Sequence, residues 1–140
     1  MNEKIKEAVI KSARSFYKTL PVLAGVVLLV SLANTIIPKS IYSEIFSKNL
    51  FLDSFIGSAL GSVLAGNPIT SYVLGGEFLS QGVSFVAVIA FMVSWVTVGI
   101  VQLPAESLLL GKKFSLLRNF ISFVFSIVVA LITVLILGVI

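Results

Sequence analysis

The chain has 140 residues, of which 58% are hydrophobic and 11% charged, and its mean hydropathy is +1.13. That balance lies far outside soluble composition and predicts an all-α integral membrane protein. Without cysteine there is no disulfide and no thiolate metal site, and without histidine the commonest proton shuttle and metal ligand is missing. The formal charge of +4 comes from basic residues that mostly flank apolar runs, where they act as orientation signals, so nucleic acid is not expected as a partner.

Residues 1–19 predict a basic amphipathic segment. Ile5, Ala8, Val9, Ser12, Ala13 and Phe16 share one helical face, and Lys4, Lys11, Arg14 and Lys18 lie on the others. Such a segment rests on the anionic cytoplasmic leaflet or simply orients the span that follows. The first span is predicted over 20–37, roughly 27 Å at 1.5 Å per residue, with Pro21 in its first turn and Pro38 ending it. Ser31 and Ala33 also have the spacing of a signal-peptidase site, but the run is long for a signal core and equally apolar sequence follows it.

Residues 40–49 place Ile41, Tyr42, Ile45 and Phe46 at helical spacing and predict a short helix in the membrane interface. Over 52–79 an apolar helix pattern is broken at Gly66-Asn67-Pro68, leaving two arms each too short to cross a bilayer. A third span is predicted over 83–103, with Trp95, Thr97 and Gln102 inside it and Pro104 stopping or kinking it. A polar loop with Glu106, Lys112, Lys113 and Arg118 leads to a last span over 120–140.

Lysine and arginine placement sets the topology. Lys4, Lys6, Lys11, Arg14 and Lys18 precede the first span, Lys39 and Lys48 follow it, and Lys112, Lys113 and Arg118 precede the last. Placing both the first and the last cluster in the cytoplasm requires 52–79 to enter and leave on one side as a re-entrant hairpin. The expectation is three full spans plus this hairpin, with the N-terminus cytoplasmic. The alternative is four spans, one of them broken.

The break carries the candidate chemistry. Asn67 is a strong N-cap residue and Pro68 a favoured first helical residue, so a second half-helix starts there with its N–H groups aimed into the break. Such a helix start favours an anionic or carbonyl group, and transporters use discontinuous helices in this way. Gly66, Asn67, Pro68, Thr70, Ser71 and Tyr72 are therefore candidate substrate-binding residues, against the plainer reading of a capped kink. Gly57 and Gly61 have the small-xxx-small spacing that lets helices approach closely, within the chain or between two copies. Glu77, Gln102 and Glu106 are candidate coupling groups, because ionisable and polar side chains beside apolar segments are costly. Glu77 also lies close enough to Ser80-Gln81 to reach the interface, and Glu106 close enough to Lys112, Lys113 and Arg118 for a structural ion pair. No phosphate-binding loop, nucleophile elbow, zinc-protease motif or acidic cluster occurs, so neither an enzyme, a cofactor nor a bound metal is expected.

Gly61-Ser62-Val63-Leu64-Ala65-Gly66-Asn67-Pro68, followed by Gly82-Val83-Ser84 and Ala90-Phe91, resembles the repeat unit of the ArsP-like predicted permeases. The resemblance covers about 32–120, and the chain looks like a half-size, single-repeat member. It implies an efflux-type permease whose site is the break at Gly66–Thr70, completed by a second copy. The family places cysteines near this break, and here Asn67, Ile69, Thr70 and Ser71 stand instead, which leaves no thiolate for soft-metal capture. The expected partners are a second copy in the same orientation, the lipid bilayer of the cell membrane, and a small-molecule or ionic substrate. The competing expectation is a non-transporting membrane scaffold or accessory subunit that packs through its glycine-rich helix.

Overall fold

The computed structural model describes residues 3–36, 41, 44–64 and 68–138. All regular structure among them is helical. The chain divides into two units, Met1–Ile37 and Pro38–Ile140.

The first unit is one helix, α1, Glu3–Ile36. The basic segment and the predicted first span are thus continuous, and Pro21 lies inside the helix instead of in a first turn. No glycine stands at the expected boundary, and Lys18, Leu20, Leu23 and Ala24 around it are good helix formers, so the cap that Thr19 could supply is not needed. Ile36 is the last described residue of α1; Pro38, expected to end the span, lies outside the described residues, as do Lys39 and Tyr42.

In the second unit, Ile41, Glu44 and Ile45 are helical, and Phe46 leaves that turn to bury itself against Val83, Ala87 and Val88. Lys48 takes a left-handed conformation, φ 61°, which turns the chain into α2, Leu50–Val63. Asn49 caps α2, its Oδ1 accepting from Phe51 N at 3.1 Å and Leu52 N at 3.4 Å. The remaining helices are α3, Pro68–Ser80; α4, Phe85–Thr97; α5, Leu103–Leu110; and α6, Lys112–Leu137.

Packing fixes the directions of these helices. A Cβ at Gly57 would fall on the Ala87 carbonyl oxygen and one at Gly61 on the Phe91 carbonyl oxygen, so α2 and α4 lie backbone against backbone and run parallel. Gly75 of α3 faces Met92, while Phe78, further along, packs with Ala87 and Val88, so α3 runs back along α4. Val86 and Ala90 pack with Ala130 and Val134, whereas Gly99 bonds Asn119, so α6 is antiparallel to α4. Ser58 and Ser126 share a buried hydrogen bond of 2.8 Å where α2 meets α6.

Among the described residues, α6 is the helix long and apolar enough to cross a membrane, with a mean hydropathy of 3.0 over its 18-residue window. The apolar helices α2 and α4, of 14 and 13 residues, are shorter than the roughly 20 residues a full crossing needs. The predicted third span is not continuous, since α4 ends at Thr97 and α5 begins at Leu103. The predicted polar loop before the last span is itself helical, reversed at a single residue, Gly111, whose φ of +89° favours glycine. The charges of Lys112, Lys113 and Arg118 suggested a loop, but Lys112 and Lys113 decorate the exposed start of α6 and Arg118, further along it, is partly buried against Glu106.

Candidate functional site

Two helix interruptions meet at one end of the second unit. The first follows Leu64, whose extended conformation (ψ 134°) ends α2, and closes at Pro68. The second follows Val98, also extended (ψ 124°), and closes at Leu103-Pro104. The cause is the same in both. A proline ring clashes with the carbonyl four residues earlier in a continuous helix, and those carbonyls belong to Leu64 and Ile100. The two segments also match in sequence: Ser58, Pro68, Ser71, Leu74 and Gly75 recur at one constant interval as Ser94, Pro104, Ser107, Leu110 and Gly111. This recurrence is the signal from which the second break was legible.

The freed backbone groups of the second break are held by tertiary bonds. Gly99 N donates to Asn119 Oδ1 at 2.8 Å and Ile100 N to the Ser62 carbonyl at 3.4 Å. Asn119, 6% exposed, also donates from Nδ2 to the Ser115 carbonyl (2.9 Å) and to Glu106 Oε2 (3.2 Å). Glu106 Oε1 accepts from Arg118 at 2.5 Å. A cavity of about 120 Å³ lies between the breaks, lined by Leu64, Pro68, Trp95, Gly99, Gln102 and Arg118 among others.

The predicted site residues separate into groups. Gly66 and Asn67 lie outside the described residues. Pro68 and Gln102 line the cavity. Thr70 and Ser71 are buried in the first turn of α3, Ser71 Oγ donating to the Pro68 carbonyl at 2.7 Å, and Tyr72 is 63% exposed on another face. Glu77 is at the far end of α3, where its Oε1 accepts from Ser80 Oγ at 2.9 Å and Gln81 Nε2 at 3.0 Å. Glu106 belongs to the Arg118–Asn119 network just described. Gly57 and Gly61 are covered by α4 of the same chain.

One carboxylate outside the set predicted from sequence, which held Glu77 and Glu106, stands apart. Asp53, in the first turn of α2, is fully buried, and neither of its carboxylate oxygens accepts a hydrogen bond. Burying an ionised carboxylate without a partner costs on the order of several kcal/mol. The helix dipole at an N-terminus returns only about 0.3–1 kcal/mol. An acidic residue inside the apolar run from Leu50 to Ile56 was the sequence signal. Asp53 shares a cavity of about 430 Å³ with Lys48, Gly82, Ser84, Phe85 and Val134, at the end of the bundle opposite the breaks. Among the described residues no group of three or more acidic, histidine or cysteine side chains is placed to hold a metal ion.

No family model, curated protein or solved structure matches the chain.

Proposed function

We propose that the protein is a multi-pass membrane permease of the efflux type, a half-size relative of the ArsP-like permeases, that works as a homo-oligomer of like-oriented copies. Its N-terminus is cytoplasmic, and α2 and α3 form a re-entrant hairpin. The substrate docks where the two breaks converge, against the start of α3 at Gly66–Thr70, with Gln102 on the opposite wall. The observation that carries this proposal is the juxtaposition of two interrupted helices around a polar-lined cavity, because non-helical backbone at membrane depth is tolerated only where protein or water surrounds it. A cavity of about 120 Å³ falls below the roughly 300–1,000 Å³ of typical ligand pockets, which supports a pathway completed by a second copy. The covering of Gly57 and Gly61 by α4 argues against a scaffold that docks partners through this glycine face.

The chain has no cysteine, so single-cysteine variants report without background. In proteoliposomes, Gln102→Cys, on the cavity wall, is expected to react with a membrane-impermeant thiol reagent, whereas Ala130→Cys, buried between α4 and α6, stays protected. Complete protection of Gln102→Cys would remove the water-accessible site and leave a packed kink.

A further inference from the structure

We propose that Asp53 and Ser84 form a monovalent-cation site, separate from the breaks, that loads the protein with its coupling ion. Asp53 offers two carboxylate oxygens that no protein donor satisfies, and its relative exposure is 0%. Its neighbour Ser54 donates to the Phe51 carbonyl and is not available to it. Ser84 is the second, independent observation. It occupies the N-cap position of α4, where a serine oxygen ordinarily accepts from the N–H groups of the first turn. Here it caps nothing, and its buried Oγ has no partner. Two polar groups that local structure ordinarily satisfies are thus both left free, and both line the same cavity.

The chemistry selects the ligand class. One carboxylate and one hydroxyl present oxygen donors and a single negative charge, which suits a monovalent cation and lacks the several carboxylates by which proteins bind calcium. The rest of the wall from α2, α4 and α6 is apolar, contributed by Leu50, Phe85, Val86 and Val134, which strengthens attraction to the carboxylate by excluding water. Among the described residues, Lys48 is the one other charged or titratable side chain that lines the cavity, and it is exposed, a basic group on the cavity wall able to compete with the ion. Two sources share this chemistry, a proton and an alkali-metal ion.

As a coupling site the assignment rests on the permease proposed above, whereas ion binding itself is tested without transport. The full chain, purified in detergent, is melted in NaCl, in KCl and in N-methylglucamine chloride at equal ionic strength, and separately across a pH series. Stabilisation by sodium or potassium over N-methylglucamine that is absent in Asp53→Asn identifies an alkali-metal ion. Stabilisation that grows as pH falls, indifferent to the salt and absent in Asp53→Asn, identifies a proton. In the alkali-metal case, Ser84→Ala is expected to raise the half-saturating concentration about tenfold, the loss of one hydroxyl ligand to a charge. If wild type and Asp53→Asn respond identically to every salt and pH, the site assignment is overturned. Asp53→Asn keeps the side-chain shape and removes a buried charge, so it is expected to fold. Ion binding that persists while Gln102→Cys is fully protected separates failure of the permease from failure of this site.

Discussion

The close approach of α2 and α4 makes Gly57 the most demanding position in the second unit. An alanine methyl there would fall on the Ala87 carbonyl oxygen, with the Ala87 carbonyl carbon at 2.9 Å and its Cα at 3.0 Å. These are backbone atoms of a helix and cannot rotate aside, so the two helices must separate. Overpacking of this kind costs about 1–3 kcal/mol. Separation also stretches the buried bond from Ser94 Oγ to the Ser58 carbonyl, 2.7 Å, and the one from Ile100 N to the Ser62 carbonyl, each worth about 0.5–1.5 kcal/mol. The higher helix propensity of alanine returns about 1 kcal/mol. A net destabilisation of about 1–5 kcal/mol is expected for Gly57→Ala. Gly76 of α3 supplies the control, because a Cβ there meets nothing within 4 Å, and Gly76→Ala is expected to stabilise by about 0.5–1 kcal/mol. Reversible unfolding in mixed micelles, followed by the fluorescence of the single tryptophan, Trp95, buried at 8% exposure, reads both variants. If Gly57→Ala proves as stable as Gly76→Ala, the parallel backbone contact between α2 and α4 is wrong.

Ser126 Oγ donates to the Phe123 carbonyl at 2.7 Å, so in its bond with Ser58 the hydrogen belongs to Ser58. Ser126→Ala therefore strands a buried hydroxyl hydrogen and is expected to cost about 1 kcal/mol more than Ser58→Ala in the same unfolding assay; equal costs would reverse the donor assignment. Asn119→Ala leaves the Gly99 N–H of the second break without its acceptor and is expected to destabilise by about 1–3 kcal/mol, and Asn119→Asp, which sets a carboxylate beside Glu106, by more. Glu106→Gln is expected to cost only about 0.2–1 kcal/mol, because the Arg118 side chain is 37% exposed and screened; a loss well above that range would mark Glu106 as more than an ion-pair partner. Tags at the two termini are expected on a single, fixed side of the membrane each, and either tag found on both sides would refute like-oriented copies.

The all-helical class and the break before Pro68 were legible because proline, glycine and long apolar runs act locally. The second break was harder to see. Val96-Thr97-Val98-Gly99-Ile100 reads as an unbroken apolar span, and what holds it open is the side chain of Asn119, distant in sequence, together with the Ser62 carbonyl. The loop expected around Lys112 and Lys113 failed for a related reason. Gly111 reverses the chain in one residue, and the charges that suggested solvent lie on the outer face of a helix already begun. Glycine spacing on α2 announced a close helix contact. That the contact lies within the chain, against Ala87 and Phe91, depends on α3 turning back, which no local pattern states.

Polar satisfaction across the second unit gives the two cavities their standing. Serines buried in the middle of the bundle all have partners: Ser58 and Ser126 bond each other, Ser94 bonds the Ser58 carbonyl, and Ser62 bonds the Ala59 carbonyl. Buried polar groups are hydrogen-bonded in the great majority of cases, so an exception needs a cause. Among the described residues the exceptions are both oxygens of Asp53, Ser84 Oγ and Arg118 Nε. None is scattered through the packing. Asp53 and Ser84 line the cavity at the N-terminal ends of α2 and α4, and Arg118 lines the one between the breaks. A fold that satisfies its serines one by one in the middle, and leaves polar atoms free only where a cavity reaches them, concentrates its unmet bonding at two places. The rigid contact of Gly57 and Gly61 with α4 ties those places to the two ends of one helix pair.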